Sequence, residues 1–380
     1  MSGQTCRGQL MLRMDIRYDA SMLTRFSICL LCLLGLFVVS SKALAADRVF
    51  PGATWQTKSP SDLGLDDKQL DVVAMTLGGQ GCVVRHGYVI KSWGDQSKRW
   101  DIYSASKPVL STLLMFALQE GKIKSFDQPI ADYGWTLSQK DRTMTFRHLA
   151  NMTSAYGRQD PPGEAWAYND YAIQLYQKTL FDKVFRGDPA EVFHDPNRFG
   201  ALQLEDRFTF RDANRRMSAS VRDFARVNWL WLNHGNWNGK QILPKAYFEE
   251  NMRPQVPADL PRSINAPTND YLMIGTYGGE SSRKTQSGPG IYGFNWWFNA
   301  PMRHLDNRLT WPDAPLDTVM ALGFRGNCSL VVPSLDLVVV GLEADWGGID
   351  SRNQQATMND RLKLIIEAST TVEERTKSNR

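Results

Sequence analysis

Residues 103–122, YSASKPVLSTLLMFALQEGK, set a polar Ser-Ala-Ser-Lys directly before an apolar helix. The pattern predicts a helix from Pro108 to Glu120, with Gly121 as its C-cap. Ser104 and Lys107, three residues apart at the helix start, lie on one face. Desolvation disfavours an ammonium, so a lysine amine among apolar neighbours can accept the serine proton and activate Ser104 as a nucleophile. The helix N-terminus adds N–H groups that favour the oxyanion formed by attack. An N-capping serine beside a snorkelling lysine fits this local pattern equally well. A second Ser-x-x-Lys, Ser281 to Lys284, sits in a Gly- and Ser-rich stretch with no apolar helix behind it and reads as exposed loop.

Outward from that helix, GCVVRHGYVIKSWGD (81–95) reads as a β-hairpin turning at His86-Gly87, preceded by a helix from Asp66 to Leu77. TFRHLANMTSAYG, from Thr145, is a short helix leading into a loop, and residues 159–200 mix loop and helix. Ser218 to Gly235 is a helix begun by a capping serine. Residues 253–290, rich in Pro, Gly, Ser and Asn, form a long loop region. YGFNWWFN (292–299) is a strand, CSLVVPSLDLVVVGLEA (328–344) is two strands joined at Pro333-Ser334, and Thr357 to Ile366 is a closing helix. Strands thus sit at both ends and helices fill the middle. This predicts an α/β (α+β) fold: one antiparallel sheet flanked by helices, with a mostly helical lobe, roughly 122–260, beside it and the site in the cleft between.

The leader MLTRFSICLLCLLGLFVVSSKALAAD (22–47) has the order of a secretory signal, with cleavage expected after Ala45 and initiation at Met22 or Met14. Its apolar run is short of the ~20 residues a spanning helix needs, and an uncleaved anchor is the second reading. Residues 46–380 are then expected to be the exported domain, periplasmic or secreted. Hydrophobic residues are 42% and charged residues 22%, an ordinary globular balance, and a net charge of +4 with no basic run argues for neither a nucleic-acid nor an anionic-membrane partner. Cys82 and Cys328 remain outside the leader and are expected as two buried free thiols, with a disulfide as the other possibility. No His-Glu-x-x-His or paired-Cys pattern follows the leader, so no metal or cofactor is expected. No Gly-x-Ser-x-Gly elbow supports a Ser-His-Asp triad, and His148 is expected to cap or pack.

Taken in order, these stretches resemble the serine β-lactamase and penicillin-binding-protein superfamily, nearest to class C-like serine hydrolases and esterases. The match runs over roughly residues 80–345 and is carried by the ordered set: Ser104-x-x-Lys107 with its helix, TFRHLANMTSAYG, PGEAWAYNDY (162–171), MSASVRDFARVNWLWLNHG, YGFNWW and LVVPSLDLVVV. The resemblance implies a β-lactamase/transpeptidase-like fold and Ser104, Lys107 and Tyr168 as catalytic residues. Tyr168 takes the tyrosine of the second motif, Tyr-x-Asn, as a proton relay. Asp170 stands where Asn is common, and Asn169 is the amide that could replace it. At the third motif, usually Lys-Thr-Gly, the aligned residues are Phe324-Arg325-Gly326. There Arg325 offers either a displaced cation for a substrate carboxylate or a surface salt bridge, and the Asn327 N–H is the expected second oxyanion donor. KTQSG (284–288) looks like the missing motif but stands out of order, before the YGFNWW strand.

The resemblance therefore implies an exported serine hydrolase that cleaves a small-molecule ester, amide or small peptide bond through a Ser104 acyl-enzyme. Two alternatives stand beside it: a non-catalytic binding or sensor protein on the same fold, and a true β-lactamase or D-Ala peptidase.

Overall fold

The computed structural model describes residues 48–211, 216–263, 269–276, 287–371 and 373–374. The leader, its cleavage site and the Ser281–Lys284 repeat of the motif lie outside the described residues, as does Lys284 of KTQSG.

The two ends of the chain meet in one seven-stranded sheet. Its order is Tyr88–Trp93, Gln80–Arg85, Leu337–Leu342, Asn327–Val332, Val319–Gly323, Trp296–Phe298, Tyr292–Gly293. Every pairing in it is antiparallel. The hairpin turns where expected, at His86 and Gly87, both with positive φ (54° and 87°), the geometry that matches the twist of the flanking strands. Leu337–Leu342 is buried throughout. Val338, Val340 and Leu342 join one core cluster, while Leu337 and Val339 join the other. A central strand covered on both faces reads as a continuous apolar run, which is why LVVV is so plain in the sequence.

One face is covered by the helices Asp67–Leu77 and Arg352–Ala368, through Leu70, Val73, Met358, Leu362 and Ile365. The helix Val221–Leu232 packs against three central strands on the other face. That helix falls within the span expected to form a separate helical lobe, so part of the middle of the chain covers the sheet. Residues from Val49 onward form one compact unit. Among the described residues no helix is long and apolar enough to cross a membrane.

Three sequence expectations need correction. The capping serine of Val221–Leu232 is Ser220, whose Oγ accepts the Asp223 N–H; Ser218 lies in a short strand, Met217–Ala219. YGFNWWFN is a tight hairpin and not one strand, because Phe294 and Asn295 both take positive φ (49° and 75°). The closing helix begins at Arg352, capped by Ser351, five residues before the expected Thr357. Cys82 and Cys328 are both buried free thiols. They sit on strands separated by Leu337–Leu342 and join opposite core clusters, so the sheet itself stands between them.

Candidate active site

Ser104 lies in a 3-10 turn, Tyr103–Ser106, that runs directly into the helix Lys107–Gln119. Every residue of that helix from Lys107 to Ala117 is buried, as expected of a helix apolar on all sides. The serine is placed at the rim of the core while the lysine, 1% exposed, is drawn into it. Lys107 Nζ donates to the Ser104 carbonyl at 3.0 Å and to Tyr168 Oη at 2.6 Å. Tyr168 Oη in turn donates to Ser104 Oγ at 2.5 Å. Three residues singled out in the sequence, 61 and 64 positions apart across the chain, thus form one hydrogen-bonded line. Burial of so many polar atoms in one place is costly unless they satisfy one another, as these do.

Ser104 and Tyr168 open onto a cavity of about 360 Å³. Its floor is apolar and buried: Trp297, Trp346, Ile349 and Met358. Its rim carries Phe324, Arg325, Asp350 and Gln354. Cys328 is also in the wall, where burial pushes its thiol up to about 12, so it holds its proton near neutral pH.

The remaining predicted site residues divide. Arg325 and Gly326 line the cavity. Arg325 is exposed and makes no ion pair with another described residue. It sits at φ 58° in a tight turn, Phe324–Gly326, that links two strands of the sheet. A Cβ at Gly326 would fall 1.6 Å from the Ala344 carbonyl oxygen, which fixes glycine at that corner. Asn327 does not line the cavity. Its N–H donates to the Phe324 carbonyl, so the expected oxyanion donor is already engaged within the turn. Its side chain braces the next strand, donating to the Phe324 carbonyl at 2.8 Å and accepting the Glu343 N–H at 3.2 Å.

Asn169 is likewise a structural residue. Its Oδ1 caps the helix Asp170–Lys178 by accepting the N–H groups of Tyr171 and Ala172, and its Nδ2 donates to the Tyr156 carbonyl at 2.8 Å. Asp170 is buried as the first residue of that helix, and neither it nor Asn169 lines the cavity.

The sequence reading missed two parts of the site. The strand Val319–Gly323 delivers Leu322 and Gly323 to the cavity. A Cβ at Gly323 would stand 2.4 Å from the Ile102 carbonyl oxygen and 3.1 Å from the Ala105 nitrogen, so this strand end backs directly onto the turn that carries Ser104. The Trp346–Asp350 segment and the first turns of Arg352–Ala368 form the far wall. The Gly347-Gly348 pair was the available signal for that loop. Among the histidines with described side chains, none lines the cavity. His148 instead completes a capping box with Thr145.

An antiparallel sheet thus lies between helical layers, and a serine, a lysine and a tyrosine are joined at the mouth of a cavity. The family model described as beta-lactamase matches residues 72–300, and the chain belongs to that family. Among solved structures, a putative beta-lactamase from Bacteroides dorei DSM 17855 is 14% identical, with a TM-score of 0.55 over 83% of this chain and 100% of its own. EstCE1, described as a hydrolase with promiscuous acyltransferase activity, is 15% identical, with a TM-score of 0.53 over 78% of this chain and 98% of its own. A putative 6-aminohexanoate-dimer hydrolase from Bacillus anthracis is 16% identical, with a TM-score of 0.51 over 77% of this chain and 79% of its own. At these identities the likeness is one of fold.

Proposed function

We propose that this protein is an exported serine hydrolase that cleaves a carboxylic ester or small amide through an acyl-enzyme on Ser104. The observation that carries the reading is the line from Lys107 through Tyr168 to Ser104 at the cavity mouth. Positive charge on Lys107 stabilises negative charge on the Tyr168 oxygen. Once the phenol has given up its own proton to solvent, Ser104 Oγ becomes the donor across the same 2.5 Å. The phenolate then takes the Ser104 proton as Oγ attacks the carbonyl carbon, and returns it to the departing alcohol or amine. Water then attacks the acyl-enzyme, giving its proton to Tyr168, and the carboxylic acid leaves as Ser104 regains its hydrogen. The oxyanion is received by the N–H of Ser104 and by an N–H of the Gly323–Phe324 segment, which backs onto the nucleophile's turn.

Among the described residues Arg325 is the one cation on the cavity lining, and in this reading it receives a substrate carboxylate at the rim. EstCE1, a hydrolase, and the 6-aminohexanoate-dimer hydrolase share this fold, which is consistent with either an ester or an amide as the bond cleaved. Export rests on the leader sequence alone.

Labelling with a fluorophosphonate, followed by mass spectrometry, tests the reading. Label on Ser104 that is lost in Lys107→Ala is expected. An unlabelled, folded protein would move the assignment to a binding or sensor role. A nitrocefin assay alongside it separates a true β-lactamase from an esterase or amidase.

A further inference from the structure

Tyr103 immediately precedes the nucleophile and holds φ at 46°, a left-handed conformation that a bulky side chain rarely adopts. Side chains from separate parts of the chain fix it there. Asp101 Oδ1 accepts the Tyr103 N–H at 2.8 Å, and Ser106 Oγ donates to the Tyr103 carbonyl at 2.6 Å. The Arg216 guanidinium lies over the Tyr103 ring at 4.7 Å and also pairs with Asp101. The Tyr103 ring meets Phe324 edge to face, with centroids 5.6 Å apart at 84°. Phe324 lines the cavity beside Ser104 and is 57% exposed. A large apolar ring left in water at a catalytic mouth is not accounted for by core packing. Strained backbone held by a dedicated network is a feature of functional sites.

We propose that Phe324, backed by the Tyr103 ring, forms an aromatic subsite that selects substrates carrying a flat apolar group, an aryl ring above all, next to the scissile bond. Arg216 is a positioning residue that acts through Asp101 and Tyr103. The proposal rests on Ser104 as the nucleophile. Phe324 stands where the resemblance leads one to expect a cation, so the turn brings both a π surface and the Arg325 charge to the cavity.

The test compares kcat/KM for two matched pairs, p-nitrophenyl benzoate against p-nitrophenyl acetate and phenyl acetate against ethyl acetate. Phe324→Ala lowers the aryl-to-alkyl ratio about tenfold in at least one pair, in keeping with the energy of an aromatic pair plus its buried area. Phe324→Tyr keeps the ratio and Phe324→Leu does not. Arg216→Gln lowers the same ratio through KM, and Arg216→Lys recovers part of it. Ratios in Phe324→Ala within twofold of the unaltered protein, or Phe324→Leu as selective as Phe324→Tyr, overturn the subsite. An Arg216→Gln effect confined to kcat removes Arg216 from it. Fluorophosphonate labelling of each variant separates the two levels: label on Ser104 with unchanged ratios sinks the subsite alone, and no label on the unaltered protein sinks the nucleophile as well.

Discussion

The Lys107 amine nitrogen stands 2.6 Å from the Tyr168 phenol oxygen, and that same oxygen stands 2.5 Å from Ser104 Oγ. The phenol is therefore the middle member of the line, and its removal should cost as much as removal of the lysine. Tyr168→Phe and Lys107→Ala are each expected to lower kcat on a p-nitrophenyl ester by ~10²–10⁴-fold. Because the two act as a unit, the double variant should be little worse than the worse single. Ser104→Ala should abolish turnover with the fold retained by circular dichroism. A Tyr168→Phe enzyme near full rate would show that the proton does not travel through the phenol.

Gly323 gives a second prediction, this time about space. Its φ is not in the left-handed region, so backbone strain is not the issue. An added Cβ would lie 2.4 Å from the Ile102 carbonyl oxygen and 2.5 Å from the Asn327 carbonyl oxygen. Both are backbone atoms in ordered elements and cannot swing aside. Gly323→Ala should push the strand end away from the Ser104 turn, lowering kcat and the melting temperature together. Gly121→Ala is the control. Nothing lies within 4 Å of its Cβ position, and only its φ of 67° opposes the change, so it should cost ~1 kcal/mol in stability with kcat unaffected.

The contrast between these two glycines shows what the sequence could carry. Gly121 was legible because helix ends have a local signature. So were Ser104 and Lys107, whose spacing and apolar helix are local, and the strand Leu337–Leu342, whose burial on both faces leaves an unbroken apolar run. Gly323 was not legible, since its demand comes from Ile102, more than 200 positions away in the chain. Asn169 misled for the opposite reason. An amide after the motif tyrosine suits chemistry and suits an N-cap equally well, and only the hydrogen bonds to Tyr171, Ala172 and Tyr156 separate the two. The far wall was missed because Trp346–Asp350 is a loop, and loops carry no periodicity.

Asn169 therefore belongs to stability. Asn169→Ala removes the cap of Asp170–Lys178 and leaves the buried Tyr156 carbonyl without its 2.8 Å donor. A loss of about 1–3 kcal/mol in urea unfolding is expected. Asn169→Asp keeps the cap acceptor and loses only the donor, so it should fall between. Unchanged stability with lost turnover would return Asn169 to the chemistry.

The two cysteines should be inert in the folded protein. Burial pushes the thiols of Cys82 and Cys328 each up to about 12. At pH 8 the thiolate, the reactive form, is then about one part in 10⁴. Iodoacetamide at pH 8 should leave both unmodified, as read by mass spectrometry, and should modify both once urea unfolds the chain. Modification of Cys328 without unfolding would mean that the cavity exposes its sulfur.

The last prediction concerns acid. Burial holds the His148 imidazole below its ordinary range, and its Nδ1 accepts the Thr145 N–H at 3.3 Å, a bond that only the unprotonated nitrogen can accept. The unfolded chain binds that proton more readily than the native one, so stability rises with pH between the lowered native value and the unfolded value of ~6.5. The stabilisation is fully present above ~6.5 and is lost as pH falls through the native value. His148→Gln keeps an acceptor for the capping box and removes the titration. Urea midpoints at pH 7.5 and 5.0 should therefore fall further in the unaltered protein than in His148→Gln. His194, also held low by burial, titrates in the same direction in both proteins and cancels from the comparison. An equal fall in the two midpoints would assign the acid sensitivity to groups other than His148.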